Sequence, residues 1–190
     1  MGAPEYIDYH DRGWGRPVRD DRALFELLTL ESFQSGLSWL TILRKREGFH
    51  RAFANFEIDA VAAFGAADVT NLLADAEIVR HRGKIEAAIN NAQAAVGLEA
   101  EGGSLRELLW SFAPGEATEA PINGRDLPSQ TIESKAMAKE LKARGFRFVG
   151  PTTAYSLMQA AGLVNDHLDG CAFDGRSPDR RRTRARRLRG

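Results

Sequence analysis

A single cysteine, Cys171, in 190 residues excludes an internal disulfide and suits a reducing compartment. No apolar run approaches the ~20 residues that a membrane-spanning helix needs. The N-terminus has neither the basic start nor the apolar stretch of a secretory signal, so a soluble, cytoplasmic protein is expected. The chain holds no G-x-x-x-x-G-K-[ST] loop, no G-x-G-x-x-G, no G-x-S-x-G and no H-E-x-x-H, which argues against nucleotide-driven and serine-hydrolase chemistry. Strand-type alternation never lasts beyond a few residues, and no segment repeats. What remains is an all-α class.

Hydrophobic and charged contents of 43% and 27% are those of a globular protein, and the length suffices for one domain with a sizeable core. The formal net charge of zero hides an asymmetry. Residues 176–190 carry eight arginines against Asp179, leaving an acidic body over 1–175. The tail reads either as a disordered arm that tracks phosphates or as a solvated, low-complexity terminus. The acidic body argues against a protein that coats nucleic acid generally.

Residues 1–20 read as an irregular arm rich in Gly, Pro and aromatics, with Tyr6, Tyr9, His10 and Trp14 close together. It either pins a helical body or forms an aromatic wall of a pocket. Asp20 or Asp21 caps a helix running to Leu30, and Ser38 caps a second beginning WLTILRKRE. Short helices are expected over 58–64, 66–73 and 105–112, and a longer, Ala-rich one over 77–98. Residues 113–131, with three prolines, read as a linker. An amphipathic helix over 134–144 ends at Gly145, and another runs over 152–161.

Four constellations could carry chemistry. In LESFQSGLSWLT, Glu31 and Trp39 stand at opposite ends of a Gly-interrupted segment. Together they supply a charge and a π surface for a flat cationic ligand, unless they are merely a surface acid and a core aromatic. The turn FVGPTT joins two helices, and its Gly150 and Thr152 amides could bind a phosphate at a helix N-terminus; an ordinary corner has the same spacing. Arg80-His81-Arg82-Gly83-Lys84 is a basic knot at a helix start, suited to a phosphate contact or simply solvated. His167 and Cys171, with His10 remote in sequence, could ligate zinc, or be a satisfied histidine near a buried thiol.

The blocks YIDYHDRGWG, LESFQSGLSWLTILRKR, IVRHRGKI, LLWSF and SKAMAKELKARGFRFVGPTTAYSLMQAAGLVNDH, followed by HLDGC, occur in one order across most of residues 4–171. In them the chain resembles the 3-methyladenine DNA glycosylase I family. The resemblance implies an all-α fold of the helix-hairpin-helix glycosylase superfamily, with a zinc-stapled corner joining the N- and C-terminal segments. It implies a monomer that excises 3-methyladenine from double-stranded alkylated DNA by base flipping. Glu31 stands at the base-recognition carboxylate. Tyr9 and Trp39 stand at pocket aromatics, with Tyr6 on the same wall. Gly150, Thr152, Arg80 and Lys84 are expected on the DNA backbone, and His10, His167 and Cys171 at three of four zinc ligands. The family's fourth ligand is a cysteine upstream of the YIDYHD block, which these residues do not include, so poor zinc binding or none is expected. No lysine falls in the pocket blocks over residues 31–39 and 150–166, so no Schiff-base lyase step is expected. Asp166 lies near the aspartate that superfamily relatives use to support the sugar cation, but the resemblance to this family does not make it catalytic.

Overall fold

The computed structural model describes residues 3–115, 124, 127–168 and 170–171. The arginine-rich tail over 176–190 and most of the expected linker over 113–131 lie outside the described residues. Those described form nine α-helices and a 3-10 turn, and no strand. The all-α expectation holds.

The helices are α1 (Pro4–Arg12), α2 (Asp21–Gln34), α3 (Trp39–Ala52), α4 (Ile58–Ala62), α5 (Ala66–Ala74), α6 (Arg82–Ala100), α7 (Leu105–Trp110), α8 (Ile132–Ala143) and α9 (Pro151–Ala160). α2 is the central element. Asp20 caps it by accepting from the Ala23 amide at 2.9 Å. Every residue from Leu24 to Phe33 is then buried, polar ones included. A helix buried all round must be covered on several sides, and α3, α6, α7 and α9 all pack on α2. The core beside it is aromatic. Phe33 meets Phe49 edge-to-face at 4.7 Å, and Phe53 lies stacked on Phe56 at 6.0 Å. Burial of each such ring contributes roughly 1.5–3 kcal/mol.

Three boundaries differ from the sequence reading, each for a physical reason. The N-terminal arm is helical over Pro4–Arg12. Pro4 sits at the first helical position, where its fixed φ favours the turn and its missing N–H is not needed. Glu5 then pairs with Arg44 of α3 at 2.9 Å. Second, α2 runs on to Gln34, because nothing stops it before Gly36, whose φ of +80° turns the chain towards α3. Third, α6 starts at Arg82 rather than Glu77. The segment before it lies against α3: Gly48 leaves no room for a Cβ beside the Glu77 carbonyl, and Lys45 donates to the Ala76 carbonyl at 2.6 Å. His81 becomes the N-cap, its ring accepting from the Lys84 amide.

The connection from α8 to α9 is a pinned turn. Gly145 takes φ +86° after α8, and the Phe146 amide returns to the Leu141 carbonyl at 2.9 Å. Asn91, fully buried on α6, holds Arg147 from both sides, donating to its carbonyl at 3.0 Å and accepting from its amide at 2.7 Å. Phe148 follows with φ +56°, a conformation a bulky residue rarely adopts, and is 41% exposed. The Ser32 hydroxyl of α2 donates to the Leu28 carbonyl of its own helix at 2.8 Å and lies 3.3 Å from the Phe148 carbonyl. Pro151 then starts α9, with Gly150 as its N-cap.

Candidate functional site

The buried stretch of α2 carries two acids with opposite surroundings. Glu26 is 6% exposed, and its Oε1 accepts from Arg46 at 2.6 and 2.7 Å and from His50 at 3.1 Å. That is a paired, structural charge tying α2 to α3. Glu31 is 5% exposed and makes no side-chain hydrogen bond among the described residues. Burial pushes its carboxyl up to about 8 from an ordinary value of 4.5. A native fold seldom keeps a buried acid without a partner unless a ligand supplies one.

Glu31 opens onto a cavity of about 160 Å³ lined also by Tyr9, Trp14, Gln34, Trp39, Ser156 and Gln159. Five elements of sequence meet there. α1 brings Tyr9, the turn after it Trp14, α2 Glu31 and Gln34, α3 Trp39, and α9 Ser156 and Gln159. The Tyr9 and Trp39 rings lie 5.3 Å apart, tilted by 51°. The Tyr9 hydroxyl and the Trp39 indole N–H are both buried without a hydrogen-bond partner. Burial and then Glu31 raise the Tyr9 phenol above its usual value. The cavity thus offers a carboxylate, unpaired polar tips and aromatic surface within a space smaller than the ~300–1,000 Å³ of most ligand pockets. The cavity is open on one side rather than enclosed.

Tyr6 does not join this wall. It is 40% exposed and absent from the cavity lining. Trp14 does line the cavity, and so do Gln34, Ser156 and Gln159, which the sequence reading did not single out. For Ser156 and Gln159 a signal existed: they are three apart on a helix, hence neighbours on one face.

Lys84 does not reach outward to a phosphate. It is 7% exposed, and its ammonium donates to the Phe33 carbonyl at 2.9 Å and to the Ser35 carbonyl. Those are orphan carbonyls at the end of α2, which a buried cation satisfies. Burial lowers its pKa. Arg80 and Thr152 are exposed and Gly150 half-buried. His81 approaches Phe148 edge-on at 6.3 Å, which brings the start of α6 beside the α8–α9 turn. Asp166 is 9% exposed, and its Oδ2 accepts from the Tyr155 hydroxyl at 2.6 Å and the Gln159 amide at 2.8 Å.

His10, His167 and Cys171 converge, their candidate ligand atoms all within 4.8 Å of one another. The donor set suits zinc. Bonds of about 2.0–2.3 Å in a tetrahedron set ligand atoms roughly 3.3–3.8 Å apart, and Cys171 Sγ lies 3.6 Å from His10 Nε2. His10 Nδ1 is held by Asp11 at 2.9 Å and His167 Nδ1 by Asn165 at 3.0 Å. Such partners direct the Nε2 atoms towards a metal. Gly15, with φ +72°, passes so close to the His167 ring that a Cβ there would collide with it.

A family model for methyladenine glycosylase matches residues 1–174. DNA-3-methyladenine glycosylase 1 of Escherichia coli (strain K12) is 47% identical over 178 residues, which cover 92% of this chain and 95% of that protein. DNA-3-methyladenine glycosylase of Haemophilus influenzae is 42% identical over 167 residues, covering 87% and 90%. Among solved structures, 3-methyladenine DNA glycosylase I of Staphylococcus aureus, described with its structural basis of 3-methyladenine recognition, superposes with a TM-score of 0.88. It is 40% identical, and the match covers 93% of this chain and 95% of that one. By fold, by sequence over nearly its whole described length and by the blocks that surround Glu31, the chain belongs to the methyladenine glycosylase family.

Proposed function

We propose that this protein is a monofunctional DNA base-excision repair glycosylase that hydrolyses the N-glycosidic bond of 3-methyladenine in alkylated DNA. The observation that carries the reading is Glu31, buried and unpartnered beside Tyr9 and Trp39 in one cavity. The bond lies inside the stacked duplex, so the nucleotide is extruded into the cavity, at a cost of a few kcal/mol that damage lowers. On the sugar, 3-methyladenine is cationic. Its electron-poor ring stacks on Tyr9 and Trp39, contributing roughly 0.5–2 kcal/mol. Glu31, ionised once the cation is present, accepts from the adenine edge and supplies the opposite charge. The base is already a good leaving group, so no general acid is required, and water adds at the sugar carbon. The cavity lining contains no lysine, which suits simple hydrolysis without a lyase step. Single-turnover release of 3-methyladenine from alkylated duplex DNA tests the reading. Retention of that DNA without release would make the protein a helix-hairpin-helix binding module instead.

In this reading the α8–α9 turn is the hairpin of a helix-hairpin-helix element. Gly150 and Thr152, at the start of α9, hold phosphates through backbone N–H groups. Arg80 supports them from the start of α6. Arg80→Ala should weaken binding to damaged and undamaged duplex alike and reduce the salt slope of log K by about 1. An unchanged slope would remove Arg80 from the interface. The enzyme acts as a monomer on double-stranded DNA, in the cytoplasm of a bacterial cell, at the nucleoid.

His10, His167 and Cys171 hold a structural zinc that would join the end of α1 to the segment after α9. Bound there, zinc supplies cross-linking and no reaction chemistry. A four-coordinate zinc there takes one ligand beyond these three. Metal analysis of protein purified without chelator should give zinc, and less of it for Cys171→Ala. Equal zinc in wild type and Cys171→Ala would remove Cys171 from the site.

A further inference from the structure

Asp166 and Tyr155, both buried, do something to the cavity that neither touches. Gln159 lines the cavity from α9, and its Nε2 donates to Asp166 Oδ2 at 2.8 Å. The same oxygen accepts from the Tyr155 hydroxyl at 2.6 Å. A glutamine amide is ambiguous by itself, since either end can face a partner. A carboxylate removes the ambiguity because it only accepts. The NH₂ end must face Asp166, so the carbonyl end is turned the opposite way. Gln159 Oε1 makes no hydrogen bond among the described residues. Gln34, the other amide at the cavity, has no such anchor, donating only to the Leu37 carbonyl at 3.4 Å.

We infer that Gln159, its amide fixed by Asp166 and Tyr155, is a second hydrogen-bond acceptor of the base cavity beside Glu31. This pair of acceptors selects a purine bearing a 6-amino group over one bearing a 6-oxo group. The inference rests on the proposed reading of the cavity as the seat of a methylated base. A 6-amino group carries two N–H donors and is matched by two acceptors. A 6-oxo group carries none and sets lone pairs against lone pairs. Sites built to bind an N–H reject analogues that lack it more strongly than shape alone allows. Gln159 is thus a specificity residue, and Asp166 is a positioning residue that acts through it.

The test compares binding of two free bases, 3-methyladenine and 3-methylhypoxanthine, to the full-length protein by tryptophan fluorescence, with circular dichroism to confirm folding. They differ at position 6 and share the methyl group and ring system. The wild type should prefer 3-methyladenine by about tenfold or more. Gln159→Leu should bring the preference within about threefold by weakening 3-methyladenine alone. Asp166→Asn should do the same, because its amide can donate to Gln159 Oε1 and let the glutamine turn over. Should Asp166→Asn not fold, Gln159→Leu decides. A Gln159→Leu protein that keeps the wild-type ratio, or weakens both bases equally, overturns the inference while the proposed function stands. Wild-type protein that binds neither base overturns the reading of the cavity itself.

Discussion

Replacing Glu31 with glutamine is expected to lower release of 3-methyladenine by about 100-fold or more while leaving duplex binding intact. The change keeps the shape of the side chain and removes its charge. At a buried position such as that of Glu31, a carboxylate facing a cationic base is worth several times what it is at the surface, and an amide recovers only a neutral hydrogen bond. The same variant should be more stable than wild type, in a pH-dependent way. Glu31 is raised to about 8 by burial alone. Between the ordinary carboxylate value and about 8, the folded state holds a proton that the unfolded chain has released. Wild-type stability therefore falls as pH rises through this window and levels off above it. The glutamine variant has no such loss, so its advantage should be small near pH 4.5 and reach a few kcal/mol above pH 8. Thermal melts from pH 5 to 9 measure it. Normal excision by a folded variant would remove Glu31 from the mechanism; a pH-independent stability gap would remove its burial as the cause.

Lys84→Met is expected to lower stability by about 2–4 kcal/mol, a fall in Tm of roughly 5–15 °C for a chain of this size. Methionine fills the stem's volume but leaves the Phe33 and Ser35 carbonyls without a donor in a buried place. Those carbonyls end α2 just before the turn at Gly36, between Glu31 and Trp39. Base release should fall with the loosened turn, while the salt dependence of DNA binding stays as in wild type. A reduced salt slope with unchanged Tm would instead make Lys84 the phosphate contact that its sequence context suggests.

The helical class and most element boundaries could be read from the sequence because caps and apolar spacing are local. Asp20, Ser38, Ser104 and Thr131 each act as the N-cap their residue type favours. Glu31 and Trp39 could be singled out because an acid inside an apolar run breaks a local rule. Long-range packing hid the rest. Nothing near Lys84 in sequence says that α2 ends beside it, and a basic knot looks solvated until its neighbours are placed. Tyr6 and Tyr9 could be separated only once the cavity was placed, with Tyr9 in its lining and Tyr6 exposed. Gln159 is an unremarkable polar residue on an amphipathic helix until Asp166, seven positions on, returns to hold it.

Ser32 follows Glu31 on α2, and its hydroxyl reaches the carbonyl of Phe148 in the α8–α9 turn. On the proposed reading, the base seat and the phosphate grip are then fixed to adjacent residues of one buried helix. α2 and α9 pack directly on each other, so helix packing sets the span between the two. A lesion fits only if the duplex changes shape to meet that span, so the deformation falls on the DNA. Flanking sequence that bends or unpairs readily should then govern how quickly a lesion is processed, even though no side chain reads it.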